Sequence, residues 1–334
     1  MSDTALIVTS INAPNAVMAA LRDGARAQGI RFIVVGDTKS PADFALEDCD
    51  FFSIAQQHAT GLKFAGLCPT RHYARKNIGY LVAIREGARL ILETDDDNFP
   101  RPPFFGARTC SHKVPVVARP GWANLYRYFT GAVIWPRGLP LDEVHSPLED
   151  FAQLATATVE CPIQQGLADA NPDVDAIYRL LFPLPQDFRN DRRLALAPGA
   201  WCPFNSQNTA WWPEAFPLLY LPAYCSFRMT DIWRSFVAER IAGANGWHIL
   251  FHEATVWQER NEHSLMRDFA DEISGYLNNA RIRETLEAVD VAPGVQHIPE
   301  NLRRCYRALV ELGVVGAEEL PLLEAWLHDL THIL

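Results

Sequence analysis

Three consecutive aspartates, Asp95-Asp96-Asp97, follow the apolar run Arg89-Leu90-Ile91-Leu92-Glu93. Adjacent carboxylates repel, so a triplet behind a buried strand costs free energy unless a cation or solvent compensates. Alternate residues of an extended chain point the same way, so Asp95 and Asp97 can address one ion while Asp96 faces elsewhere. Hard oxygen ligands at the carboxyl end of a parallel strand suit Mn2+ or Mg2+ holding a substrate diphosphate. A solvated acidic turn would use the same residues, but the strand before the triplet and the Pro-rich loop after it favour the metal.

Other charged groups admit two readings each. Arg71-His72-Tyr73-Ala74-Arg75-Lys76-Asn77 opens a helical pattern with cations at an end that prefers anions, which suits a bound phosphate or a snorkelling surface. Asp169, Asp173 and Asp175 lie in a second acidic run that either caps a short helix or binds sugar hydroxyls. Thr230-Asp231 starts an amphipathic stretch reaching about Ile241; Asp231 is a helix cap or a general base held ionised and fixed in direction. A histidine can complete the metal site begun by Asp97, and His263, within the polar run Gln258–His263, is preferred to His252.

The elements that must position these groups are legible as alternation. Ala5–Thr9, Arg31–Val35 and Arg89–Glu93 read as strands, and Ala16–Gln28 and Arg71–Gly87 as helices, the pattern of a parallel α/β sheet. The middle, from Phe99 to about Pro222, is rich in Pro and Trp, with extended runs at Val114–Val117 and Ala132–Trp135. A helix from Asp231, a strand at Trp247–Phe251, and a helical tail with breaks near Pro293-Gly294 and Gly313 follow. The 334 residues carry 30 Lys+Arg against 40 Asp+Glu, a formal charge of −10, which argues against an electrostatic grip on nucleic acid or anionic membrane. No apolar stretch approaches the ~20 residues of a membrane span, the start has no basic n-region, and seven cysteines without a C-x-x-C pair fit reduced thiols. A cytoplasmic location without membrane insertion is expected.

The motifs together resemble the STELLO family of glycosyltransferases. The matching stretches are Val34–Pro41, Arg75–Tyr80, Glu93–Asn98, Gln164–Asp169, Asp173–Arg179, Pro203–Thr209, Asp231–Arg234 and Gln258–Asn261, in family order over about residues 5 to 270. The resemblance implies a GT-A-like, Rossmann-type domain with a mixed, mainly parallel sheet over 1–263, and a helical extension over 264–334. It implies a nucleotide-diphosphate sugar donor, a UDP-sugar favoured, an unspecified hydroxyl acceptor, and a divalent metal on Asp97 and Asp95, with Asp95 also near the ribose. Thr9, Asn12 and Asp37 would line the nucleotide pocket, with Arg75 or Lys76 near phosphate. Asp96, Asn205, Arg260 and the acidic run would add donor contacts, and Asp231 would deprotonate the attacking hydroxyl in an inverting reaction. A nucleotide-sugar mutase and a non-catalytic scaffold are the alternatives; the costly carboxylate cluster argues against the scaffold. The tail either closes the acceptor site or makes a homo-oligomer.

Overall fold

The computed structural model describes residues 3–259 and 264–333. The first part alternates as expected: β1 (Thr4–Thr9), α1 (Ala16–Ala27), β2 (Arg31–Val35), β3 (Asp50–Phe52), the short helices α2 (Ile54–Ala59) and α3 (Lys63–Leu67), α4 (Lys76–Arg85) and β4 (Leu90–Thr94). The middle contributes β5 (Asn98–Pro100), β6 (Ser111–Val117), β7 (Gly121–Trp122), β8 (Thr156–Glu160), β9 (Ile163–Asp169), α5 (Ala176–Leu181), β10 (Arg193–Leu196), β11 (Ala200–Trp201) and β12 (Asn208–Trp211). Then come α6 (Thr230–Ala244), β13 (Ile249–Gln258), α7 (Leu265–Ala288), α8 (Ile298–Glu311) and α9 (Glu319–Ile333).

The main sheet runs β3-β2-β1-β4-β12-β9-β13-β10-β6-β8, with β5 paired to β13. Strands β3, β2, β1 and β4 are parallel, whereas β12 is antiparallel to β4, with Thr209 opposite Glu93 and Asn208 opposite Thr94. That reversal sets the site. It brings the loop entering β12 beside the carboxyl end of β4, where an α/β sheet opens a crevice. The α/β class with a mixed sheet is therefore as the sequence predicts.

Alternation places each strand residue on one of two covered faces. Leu6, Val8, Phe32, Val34 and Leu92 pack with Val17, Leu21 and Ala25 of α1, while Ile7, Ile33, Val35 and Ile91 meet Ile78, Leu81 and Val82 of α4. Helix α4 is buried from Lys76 to Ile84 and lies so close to the sheet that a Cβ at Gly79 would stand 2.7 Å from Ile7 Cγ2 and 2.8 Å from Val35 Cγ2. It begins later than the periodicity suggests. Arg71 has φ +58° and His72 is extended, so the chain turns through a single 3-10 turn before Lys76. Ala132–Trp135, read as extended, forms bends and no strand; Ile134 and Trp135 are buried by packing instead.

Helices α7, α8 and α9 share the α4-side core through Ile282, Leu302, Tyr306, Leu323 and Trp326. Asp329 accepts from the backbone N–H of Lys63 (3.1 Å) and Phe64 (2.8 Å), closing the start of α3. Glu319 accepts from Tyr220 Oη–H and from the N–H of Ala223 (2.9 Å) and Tyr224 (2.7 Å). Among the described residues no helix is long and apolar enough to cross a membrane.

Candidate active site

One residue of β4 and one of α6 do the positioning. Glu93 is fully buried and accepts from Tyr80 Oη–H, from Trp211 Nε1–H at 2.8 Å and from Arg234 of α6 at 3.0 Å. Arg234 is itself 1% exposed and also donates to the Asn205 carbonyl at 3.1 Å. Asp95 follows Glu93 by two residues and Asp231 precedes Arg234 by three, so one buried ion pair sets the distance between the triplet and the start of α6. Such a pair is costly to break, because the surviving charge is left unmatched.

Past β4 the three carboxylates diverge. Asp96 turns toward β1 and accepts from Ser10 Oγ–H at 2.5 Å and Asn12 Nδ2–H at 3.0 Å, while its carbonyl accepts from Asn15 at 2.8 Å. Asp97 accepts from Gln258 Nε2–H, 3.1 Å from each oxygen. Asp95 accepts from the buried ammonium of Lys76 at 3.1 Å, which also donates to the Thr94 carbonyl (2.8 Å), Tyr73 Oη (3.1 Å) and the Ser206 carbonyl (3.3 Å). Burial pushes the Asp95 carboxyl up to about 7; Lys76 opposes that rise, and the nearby charges of Asp97 and Asp231 add to it.

Across a cavity of about 270 Å3, lined by Asp95, Asp96 and Asp97 on one side, stand Arg137, Asp173 and Asp231. Arg137 commits all five N–H groups: to Asp173 at 2.7 and 2.9 Å, to Asp231 at 3.1 and 3.0 Å, and to the Arg228 carbonyl. Asp231 also accepts from its neighbour Ile232 N–H at 3.1 Å and from Ser206 N–H at 3.4 Å. Burial alone would raise its carboxyl, but the Arg137 guanidinium holds it below the usual carboxylate range. A larger cavity, about 880 Å3, opens at the carboxyl ends of β1 and β2 and is walled by Thr9, Asn12, Asp37 and His72. Asp37 accepts from the His72 N–H at 3.0 Å and from Thr38 N–H at 2.6 Å.

Thr9, Asn12, Asp37, Asp95, Asp96, Asp97, Asp173 and Asp231 thus line these joined cavities. Other expected site residues lie elsewhere. Lys76 reaches neither cavity, and Arg75 borders the larger one but donates to Gln57 Oε1 (2.7 Å) and the Cys68 carbonyl (2.8 Å). Asp169 pairs with Arg101 at 2.7 Å and accepts from Phe188 N–H at 2.8 Å. Asp175 caps α5 through Tyr178 N–H at 2.8 Å and takes Trp135 Nε1–H at 2.6 Å. Asn205 is buried and orders the loop into β12 through Gln207 N–H (2.9 Å). His252 is buried on β13, where burial lowers it to about 4. Arg260 and His263 lie outside the described residues. Sequence reading passed over Arg137, which sits in a Pro-Arg-Gly turn without periodicity, and Gln258, whose signal was its place in a family-like motif.

Among the described residues no three His, Cys, Asp or Glu side chains close into a ligand set. Asp95 and Asp97 nevertheless fit a hard divalent ion as a partial set. Both are oxygen donors at a strand end, and the Asp97 charge already pushes the Asp95 carboxyl up, so a cation there would relieve a repulsion between them. A diphosphate and solvent would supply the remaining oxygens.

The comparisons agree with the family read from the motifs. Residues 228–334 match the model of the STELLO glycosyltransferases. The chain is 27% identical over 329 residues to a protein named probable glycosyltransferase STELLO2 of Arabidopsis thaliana, covering 91% of this chain. It is 26% identical over 329 residues to probable glycosyltransferase STELLO1 of the same plant, covering 93% of this chain. The alignments take in 42% of each relative, so the chain spans less than half the length of the curated proteins it matches. Among solved structures, glucosyl-3-phosphoglycerate synthase of Mycobacterium tuberculosis in complex with phosphoglyceric acid aligns at 12% identity with a TM-score of 0.43, covering 83% of this chain and 79% of that one.

Proposed function

We propose that this relative of the STELLO glycosyltransferases is a GT-A-like, metal-dependent glycosyltransferase that moves a sugar from a nucleotide-diphosphate donor, a UDP-sugar favoured, to a hydroxyl acceptor with inversion. One observation carries the reading: the triplet at the end of β4 and Asp231 at the start of α6 face the same cavity, fixed to each other by the Glu93–Arg234 pair. The nucleoside would occupy the larger cavity beside Thr9, Asn12 and Asp37, and Asp96, braced by Ser10 and Asn12, would keep the β1 loop open to it. Asp95 and Asp97 would hold Mn2+ or Mg2+, which supplies neutralisation of the leaving diphosphate. Asp231 would accept the proton of the attacking hydroxyl as that oxygen bonds to the anomeric carbon and the glycosyl–phosphate bond breaks.

Arg137 governs that proton. Its bidentate pair keeps Asp231 ionised and aimed, and it must loosen for the carboxylate to accept a hydrogen. Isothermal titration of donor nucleotides with Mn2+ tests the binding half. The proposal expects Mn2+-dependent binding of at least one nucleoside diphosphate and a loss of at least tenfold in Asp97→Ala; unchanged binding in that variant would refute the metal assignment.

A further inference from the structure

The two cavities share a border formed by Thr9, Tyr73, Asp96, Phe227 and Arg228. If a nucleoside fills one side and a sugar the other, the diphosphate that joins them must cross there. Of those five residues Arg228 is the cation, whereas Lys76 is spent inside the protein. Arg228 is held on two sides. Its Nε and Nη2 donate to Glu272 Oε1 at 3.0 and 2.8 Å, and its own carbonyl accepts from Arg137. Glu272, on α7, is fully buried; its other oxygen accepts from Ala176 N–H at 2.7 Å and Tyr276 Oη–H at 2.6 Å. One edge of the guanidinium fork is therefore fixed, and Nη1 carries no hydrogen bond among the described residues.

We propose that Arg228 contacts the donor diphosphate where the two cavities meet, and that Glu272 is a positioning residue that aims it. The inference rests on the nucleotide-sugar reading. A planar guanidinium matches phosphate oxygens, and a fork already ordered by a buried carboxylate loses little entropy on binding them. It also assigns a task to α7: the C-terminal helices would complete the donor site from below.

Isothermal titration of the full chain with Mn2+, using uridine and UDP and then the guanosine pair as probes, distinguishes the outcomes. Wild type should bind one diphosphate more tightly than its nucleoside. Arg228→Ala should lose about ten- to a hundredfold on the diphosphate and leave nucleoside affinity unchanged, with partial recovery in Arg228→Lys. Glu272→Gln should lose a smaller factor on the diphosphate only, and the unfolding midpoints show whether each variant is folded. An equal loss on nucleoside and diphosphate would make Arg228 a strut between the turn before α6 and α7, and an unchanged diphosphate affinity would remove it from the site. Either result overturns the inference while the donor reading stands. Absence of any nucleotide binding by wild type would overturn both.

Discussion

Asp95 is a carboxylic acid held where its charge is hard to keep: half-buried, beside two other aspartates, with the Lys76 ammonium as its own cationic partner among the described residues. Its folded value of about 7 against an ordinary 3.8 means that it is largely protonated below neutral pH. An ion bound there must displace that proton. Apparent Mn2+ affinity, measured by calorimetry across pH, should fall about tenfold per unit below pH 7 and level off above it. Asp95→Asn should bind weakly with a flat profile; a flat profile in wild type would contradict the assignment. The sign for stability is the opposite. The metal-free native state holds a proton that the unfolded chain releases between about pH 4 and 7, so this group makes stability decline as pH rises through that window.

At the scale of elements, the Glu93–Arg234 pair joins β4 to α6, and Glu93 also accepts from Tyr80 and Trp211. Removing one partner strands the other in the interior. Arg234→Met should cost about 3–5 kcal/mol in denaturant unfolding, and donor transfer should fall further than the lost population explains, because Asp231 loses its anchor. An unchanged unfolding free energy would show that the pair does not set this geometry. The strands and the triplet are legible in the sequence because each carries its own local signal, an apolar run or clustered charge. Thr230-Asp231 marks the start of α6 but does not cap it, since Met229 is the N-cap and Asp231 lies in the first turn, turned to Arg137. The turn that delivers Arg137 is not legible. Its position comes from Asp173 and Asp231, residues 36 and 94 places away in sequence, and no local pattern encodes such a contact. The inward turn of Lys76 is hidden for the same reason, since a buried lysine at a helix start reads like a surface one until its four oxygen partners are seen.

In the molecule as a whole, the C-terminal helices are built into the core. Trp326 packs edge-on against Phe64 with centroids 6.1 Å apart, Glu319 ties down the chain before α6, and Asp329 closes α3. Cutting the chain after residue 263 would expose Phe64 and Tyr220, leave the Trp233 indole N–H without Asn279, and leave the backbone of Ala223 and Tyr224 without its acceptor. That fragment should fail to give a cooperative thermal transition; a sharp transition near the full-length midpoint would show an independent unit. The acidic triplet, Asp231 and the start of α7 thus stand around one pair of cavities, and sugar transfer is the proposed function that would join them. The most direct test is release of free nucleoside diphosphate from a panel of nucleotide sugars with Mn2+. Wild type should release it from at least one donor, Asp97→Ala should not, and Asp231→Asn should bind that donor yet transfer about a hundredfold or more slowly. Full transfer by Asp231→Asn, or Mn2+-dependent release undiminished in Asp97→Ala, would contradict the assignment.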